Sequence, residues 1–462
     1  HMTMNKIVLV WICLVCGGHG RQVQPSTRNQ KLAKQLKAAD SRSRSVGPLA
    51  SLATLLLMSD HATAFTPGSQ LGHPVLKSRS GRPAPRLSSP RVGKVLSAAV
   101  AEKTDTAAVE DTKLYKGRQF PRVAGGFMLG TRTVTVITGA SSGLGLAAMK
   151  ELVDQDHFII AAVRDPAKMD RVAEENGISS SNYYSMYLEL ASLQSVKDFV
   201  DNLKVFLPTR SINHLICNAA VYRPTDPNPA WTDDGFEMSV GINHLGHFLL
   251  VQLLLPELKY SKGARCIIVG SVTGNSNTIA GSFVKPVANV GKMEGLKVAG
   301  KQKSAMVSST IEKFDGAKAY KDAKALNMMT TLEMHRRYHD QTGIVFSSLY
   351  PGCICDSNLF REKREWFRIW WPKLMKAVGS YVTEAEAGQR LAQTIVDPNC
   401  DKSGVYWGWN GNAQQFGLDA AKTGAGGAGG SITENEFAPM IADEKKGKLA
   451  FEYSMEAVKA YL

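Results

Sequence analysis

Thr133-Val134-Thr135-Val136-Ile137-Thr138 runs straight into Gly139-Ala140-Ser141-Ser142-Gly143-Leu144-Gly145, and a helical apolar pattern follows to Leu152. The first six residues are β-branched, the type that packs well on a pleated surface. Strand, glycine turn and helix in that order is the context in which backbone amides cradle a phosphate. Gly139, Gly143 and Gly145 permit a tight turn, a close approach to a pyrophosphate and close packing of helix on sheet. The helix N-terminus then faces the negative charge. Ser141, Ser142 and Leu144 share this loop and complete the candidate cofactor cradle.

Outward from that loop, strand patterns recur at Phe158 to Ala162, Tyr184 to Leu188, His214 to Cys217, Ala264 to Val269, Ile344 to Leu349 and Gly404 to Trp407. Helical stretches lie between most of them. The alternation predicts an α/β fold, a Rossmann-type doubly wound parallel sheet. The second strand ends in Arg164, with Lys168 one turn later. An acid there would hold a ribose 2′-hydroxyl, whereas basic side chains suit a 2′-phosphate, so NADPH is the expected cofactor. The alternative for Arg164 is a solvated charge at a strand end.

Tyr320 and Lys324 are four apart and share one face if the segment is helical. A lysine ammonium there is expected to lower the phenol pKa and hold the nicotinamide ribose, leaving the tyrosine to deliver a proton. Ser271 follows the fifth strand, where its hydroxyl orients substrate or tyrosine; Thr273 is its rival. About fifty residues separate Ser271 from Tyr320.

The sequence order of glycine loop, Asn218, Asn243, Ser271 and the Tyr320–Lys324 pair resembles the short-chain dehydrogenases. Within them it is similar to the light-dependent protochlorophyllide oxidoreductases, whose long insertion before the catalytic tyrosine it shares. The strings that carry this are Ile242-Asn243-His244-Leu245-Gly246-His247-Phe248, Tyr350-Pro351-Gly352-Cys353-Ile354, Leu359-Phe360-Arg361-Glu362 and Ser403-Gly404-Val405-Tyr406-Trp407. The resemblance implies catalytic roles for Tyr320, Lys324, Ser271 and Asn243. It implies cofactor contacts from Glu189, Leu190, Asn218 and Ala219, and pigment contacts from Cys353, Thr273 and Phe360. It also implies that NADPH gives a hydride to C17 of protochlorophyllide and a proton goes to C18 once the bound pigment absorbs light. Cys353 is open to three roles: pigment contact, proton donor or core thiol. Where relatives read Ala-Thr-Thr-Gly, this chain has Cys355-Asp356-Ser357-Asn358, which makes Ser357 the candidate partner of the nicotinamide amide.

The 462 residues, 44% hydrophobic, suffice for one large α/β domain or two ordinary ones. The formal charge of +14 invites thought of nucleic acid. Most of that charge lies before Val100, where Asp40 and Asp60 are the acids after Arg21, so nucleic acid is not an expected partner. Residues 1–20, an apolar run from Ile7 to Cys16 followed by glycines, have the layout of a signal peptide; 21–125, with Ala62-Thr63-Ala64-Phe65 and a Ser-, Pro- and Arg-rich stretch, that of a transit peptide and linker. Together they resemble the two-part plastid leader of algae, a disordered basic N-terminus being the alternative. Beyond the leader remain Cys217, Cys266, Cys353, Cys355 and Cys400, an unpaired set that fits a reducing stroma. The ten histidines make no HExxH or Cys/His cluster, so no metal is expected.

Residues 126–410 are thus expected to form the catalytic domain. Within them, 275–315 is expected to be a lid, or else a tolerated surface insertion. Residues 359–380 hold Trp366, Phe367, Trp370 and Trp371 at helical spacing. They are suited to covering a pigment edge, to a membrane interface, to contacts in a homo-oligomer, or to an ordinary buried helix. Residues 411–462 read as a Gly-rich linker and a C-terminal helix with Lys445, Lys446 and Lys448 on its polar side. The plastid leader and aromatic segment suggest a peripheral protein of thylakoid or inner plastid membranes, with membrane lipids as partners. Two other functions compete: a dark NADPH carbonyl reductase of a retinoid- or steroid-like substrate, and a non-catalytic pigment-binding lattice protein.

Overall fold

β1 (Thr133–Thr138) is buried along five of its six residues, and β2 (His157–Val163) is buried throughout. Strands covered on both faces favour β-branched and aliphatic side chains, which is why they were legible. The structure, a computed structural model, describes residues 129–207, 212–309, 313–377, 379–411 and 426–462. The leader expected over 1–125 lies outside these residues. Six more strands follow: β3 (Tyr183–Tyr187), β4 (His214–Cys217), β5 (Arg265–Val269), β6 (Val345–Leu349), β7 (Val405–Trp409) and β8 (Ile432–Asn435). Their order is β3-β2-β1-β4-β5-β6-β7-β8. All neighbours are parallel except β7 and β8. The strand order reverses between β1 and β4, and an open α/β sheet binds its ligands at such a point, outside the strand C-termini.

β8 amends the expectation for 411–462. Four residues, Ile-Thr-Glu-Asn, pair antiparallel at the sheet edge, Trp409 opposite Ile432; so short and polar a run gives no periodic signal. The glycines before it are held too, because the buried Arg390 guanidinium donates to the carbonyls of Gly427 (2.7 Å) and Gly429 (2.9 Å).

The helices that position the site are α1 (Gly143–Asp154), α2 (Pro166–Glu175), α3 (Leu193–Phe206), α4 (His247–Lys259) and α5 (Gly316–Met334), then α6 (Glu365–Ala377), α7 (Glu384–Val396) and α8 (Glu444–Val458). α5 is buried at every position, and Asp315 caps it by accepting from the Lys318 amide. A helix buried all round is a core helix. On one side it meets α8, which buries Ala450, Phe451, Ser454, Ala457 and Val458. Lys445 and Lys448 stay exposed on the outer face of α8, and Lys446 is half-buried. One stretch among the described residues, Met238–Lys259, is long and apolar enough to cross a membrane, yet most of it is core.

The 275–315 insertion packs beside α5 with two short helices, Ile279–Phe283 and Glu294–Lys297. The reason is electrostatic. α5 buries Lys318 and Lys321, and a buried ammonium must find acceptors. Lys318 pairs with Asp322 and donates to the Asn289 carbonyl at 2.8 Å. Lys321 donates to the Val284 and Pro286 carbonyls at 2.7 Å. The insertion also contributes Val290, Met293, Leu296 and Val307 to the core. Of its described residues, Ala280 and Val284 line the main cavity.

Candidate active site

A cavity of about 880 Å³ opens along the C-terminal edge of the sheet. Its first end is built by the glycine loop. Gly139 and Gly143 take φ of 71° and 56°, in the left-handed region that glycine adopts without cost. A Cβ on Gly145 would collide with the Gly139 carbonyl and lie 2.6 Å from Asn218 Nδ2. Gly145 is therefore the packing glycine and does not line the cavity, whereas Gly139, Ser141, Ser142, Gly143 and Leu144 do. Ser142, the N-cap of α1, makes no side-chain capping bond, so the first amides of α1 are not closed off by it. Asn218 Nδ2 donates to the Thr138 carbonyl at 2.9 Å, and the Asn218 and Ala219 amides donate to Thr138 Oγ1 at 2.9 and 3.0 Å. Thr138 thus ties the ends of β1 and β4 together, a role its sequence did not reveal.

Arg164 and Lys168 line the same end, with Glu189 and Leu190 beside them. The Arg164 guanidinium is 67% exposed and 4.0 Å from the Glu189 carboxylate. Glu189 is itself anchored by the Ala191 amide at 2.9 Å. An open helix N-terminus flanked by two cations, with glycine at Gly139 and Gly143, fits the phosphates of a dinucleotide.

Tyr320, Lys324, Ser271 and Thr273 meet in the middle of the cavity. Burial pushes the Tyr320 phenol up to about 12, and a hydrogen bond with Ser271 pulls weakly the other way. Lys324 does not lower it as expected. Its ammonium donates to the Val269 carbonyl at 2.7 Å and lies 6.0 Å from the tyrosine ring centre. Burial brings Lys324 itself down to about 8. Desolvation therefore outweighs the charge pairing that the four-residue spacing suggested. Ser271 and Thr273 hydroxyls are 2.9 Å apart, so the rivals act as one pair.

This sets a pH dependence. Lys324 is charged below about 8 and neutral above it. Any step that needs its ammonium declines as pH rises through that value. Activity at saturating substrates is expected to show this alkaline limb. A flat profile to pH 10 would contradict it.

Asn243 is fully buried and does not line the cavity. It sits in a π-helical turn, Gly241–Gly246, accepts from the Val221 amide at 2.8 Å and donates to the Val221 carbonyl at 3.0 Å. That clamp fixes the loop carrying Tyr222, a residue sequence reasoning missed. The Tyr222 ring lies 4.7 Å from that of Tyr320 and 6.1 Å from that of Phe360.

The far end is aromatic. Phe360, Phe367, Trp371 and Met375 line it with Cys353, and Phe367 stacks on Trp371 at 5.2 Å. Trp366 and Trp370 are 44% and 49% exposed on the other side of α6, with Ile369 between them. One residue is 100° of helix, so Trp371 follows Phe367 inward and cannot share an outward face with Trp366 and Trp370. Ser357 lines the cavity, while the Asp356 carboxylate is taken by the Tyr381 hydroxyl at 2.7 Å and does not line it.

Comparison with known proteins agrees with this architecture. The short chain dehydrogenase family profile matches residues 133–283. The chain is 48% identical over 328 residues to "Protochlorophyllide reductase, chloroplastic" of Cucumis sativus, covering 70% of this chain and 77% of that one. It is 46% identical over 331 residues to "Protochlorophyllide reductase A, chloroplastic" of Triticum aestivum, covering 70% and 80%. The same identity and length hold for "Protochlorophyllide reductase" of Avena sativa, covering 70% and 99%.

Proposed function

The chain belongs to the protochlorophyllide reductases, within the short-chain dehydrogenases, and on that premise we propose how its cavity works. It is an NADPH-dependent oxidoreductase of chlorophyll biosynthesis that acts in the plastid, and it reduces the C17–C18 double bond of protochlorophyllide in a light-driven step to give chlorophyllide. The observation that carries the assignment of roles is that Tyr320 stands in one continuous cavity between a phosphate cradle and an aromatic wall. Reduction of one double bond of a conjugated macrocycle faces a large barrier that protein side chains do not remove, and the absorbed photon overcomes it. NADPH, when bound, supplies the hydride.

The chain's own residues bind, orient and hold a proton. Gly139, Ser141, Ser142, Gly143 and Leu144 receive the pyrophosphate, Arg164 and Lys168 the 2′-phosphate, and Glu189, Leu190, Asn218 and Ala219 the adenosine and ribose. Ser357 meets the nicotinamide amide. Phe360, Thr273 and Cys353 touch the pigment, with Phe367 and Trp371 behind it. Tyr320, kept protonated by burial and oriented by Ser271, donates to C18; Lys324 holds the ribose beside it. Asn243 and Gly145 act one step back, the first by fixing the Tyr222 loop and the second by letting α1 approach Asn218. The outward pair Trp366 and Trp370, with Ile369 and the Lys373 ammonium 4.7 Å from the Trp370 ring centre, meets plastid membrane lipids. That makes the protein peripheral on thylakoid or inner plastid membranes; a second copy in a homo-oligomer is the other occupant that fits.

Protein, NADPH and protochlorophyllide are expected to give chlorophyllide in the light and none in the dark. Product in darkness would instead favour ordinary carbonyl-reductase chemistry. Arg164→Ala is expected to narrow the preference for NADPH over NADH by about tenfold, the lower end for a charge-assisted bond because the guanidinium is solvent-exposed. Binding titrations of both cofactors measure it, and an unchanged ratio would remove Arg164 from the phosphate site.

A further inference from the structure

We propose that Cys353 and Cys355 form a redox-active dithiol, which closes to an intramolecular disulfide and draws the Cys353 sulfur back from the cavity. The two Sγ atoms are 3.2 Å apart. Cys353 lines the cavity and is half-buried, whereas Cys355 lies behind it in the apolar cluster with Phe367, Trp371 and Met375. The pair is held in place by its backbone. Gly352 turns at φ 116°, and the Cys353 carbonyl accepts from the Val382 amide at 3.1 Å.

Position sets this pair apart from the other described cysteines. Cys217, Cys266 and Cys400 are buried and none lines the cavity. Burial drives the Cys217 thiol well up, away from the reactive thiolate. Cys353 is shifted the other way, chiefly by the hydrogen bond from Cys355, against burial and with help from Trp371 and Tyr350. It thus has the two attributes of an attacking thiol, access and thiolate character.

The step balances with a low-molecular-weight disulfide as oxidant. The Cys353 thiolate attacks one sulfur of oxidised glutathione, forms a mixed disulfide and releases one glutathione thiolate. Cys355 then attacks the Cys353 sulfur, its proton passing to solvent, and expels the second glutathione. Two protein thiols are oxidised to one disulfide, and one glutathione disulfide is reduced to two thiols. Bond formation brings the sulfurs from contact to about 2.0 Å. Because Cys355 lies behind the wall, Cys353 moves away from the pigment. A ring closed over a single intervening residue is strained, and strained disulfides are the readily reduced ones.

The test is a redox titration of the full chain with reduced and oxidised glutathione, followed by peptide mass analysis. No Lys or Arg lies between Cys353 and Cys355, so one tryptic peptide carries both. It is expected to lose two hydrogens on oxidation and regain them with dithiothreitol. Cys355→Ala is expected to stop at a glutathione adduct on Cys353, while converting pigment normally under reducing conditions. In the wild type, oxidation is expected to weaken dark binding of protochlorophyllide at least tenfold, reversibly. This last effect rests on the proposed contact of Cys353 with pigment. An internal disulfide without loss of pigment affinity would remove that contact and its control by the dithiol. A wild-type peptide that stays reduced, or carries only the adduct, would overturn the dithiol itself.

Discussion

Tyr320→Phe is expected to lower light-driven conversion by about 10²–10⁴-fold at saturating NADPH and pigment, with dark binding of both retained. The ring stays in place against Tyr222, so what is lost is one proton and one hydrogen bond to Ser271. Burial holds the phenol near 12, hence it is protonated across the working range and acts as acid without prior titration. The same burial makes tyrosinate an unstable product, and Lys324, whose ammonium is held by the Val269 carbonyl, does not relieve it. Conversion yields per flash of wild type and variant, at equal bound pigment, measure the effect. A variant within threefold of wild type would transfer the donor role to Cys353 or to water.

The second large effect separates the two faces of α6. Trp371→Ser is expected to weaken dark pigment binding by ten- to a hundredfold, since a buried aromatic side chain is worth about 1.5–3 kcal/mol of apolar contact. NADPH affinity should be kept, because the glycine loop lies at the other end of the cavity. The double substitution Trp366→Ser with Trp370→Ser is expected to do the opposite: pigment binding unchanged, attachment to galactolipid or anionic vesicles sharply reduced. Retained NADPH binding in each variant controls for folding. Pigment loss in the outward pair, or vesicle loss in Trp371→Ser, would mean that α6 is turned differently against the cavity.

The fate of Trp371 marks where sequence stops being enough. Spacing put Trp366, Trp370 and Trp371 on one helix and was right about the helix, but a stripe of four aromatics offset by one residue has two faces. Only packing against Phe360 and Met375 decides which one is inside. The seven parallel strands were legible because they are almost wholly buried and rich in β-branched, aliphatic and aromatic side chains. β8 lacks that burial. The glycine loop, Tyr320, Lys324, Ser271 and the basic pair after β2 were legible because their chemistry is local and they do converge on one cavity. Gly145 and Asn243 belong to the same motifs yet stand behind the wall, since a motif records support and contact alike. Tyr222 was invisible, being an ordinary residue in a loop until the Asn243 clamp brings it to Tyr320. The direction of the Tyr320 pKa shift differs from the expected one for a related reason: spacing reports neighbours, while burial depends on the whole surrounding fold.

The most direct measurement is a single flash on the dark complex of protein, protochlorophyllide and NADPH deuterated at the transferable position. One flash is expected to convert the bound pigment's absorption to that of chlorophyllide, with the deuterium at C17 and a solvent-derived proton at C18. Conversion before the flash, no conversion after it, or a product without deuterium would contradict the assignment.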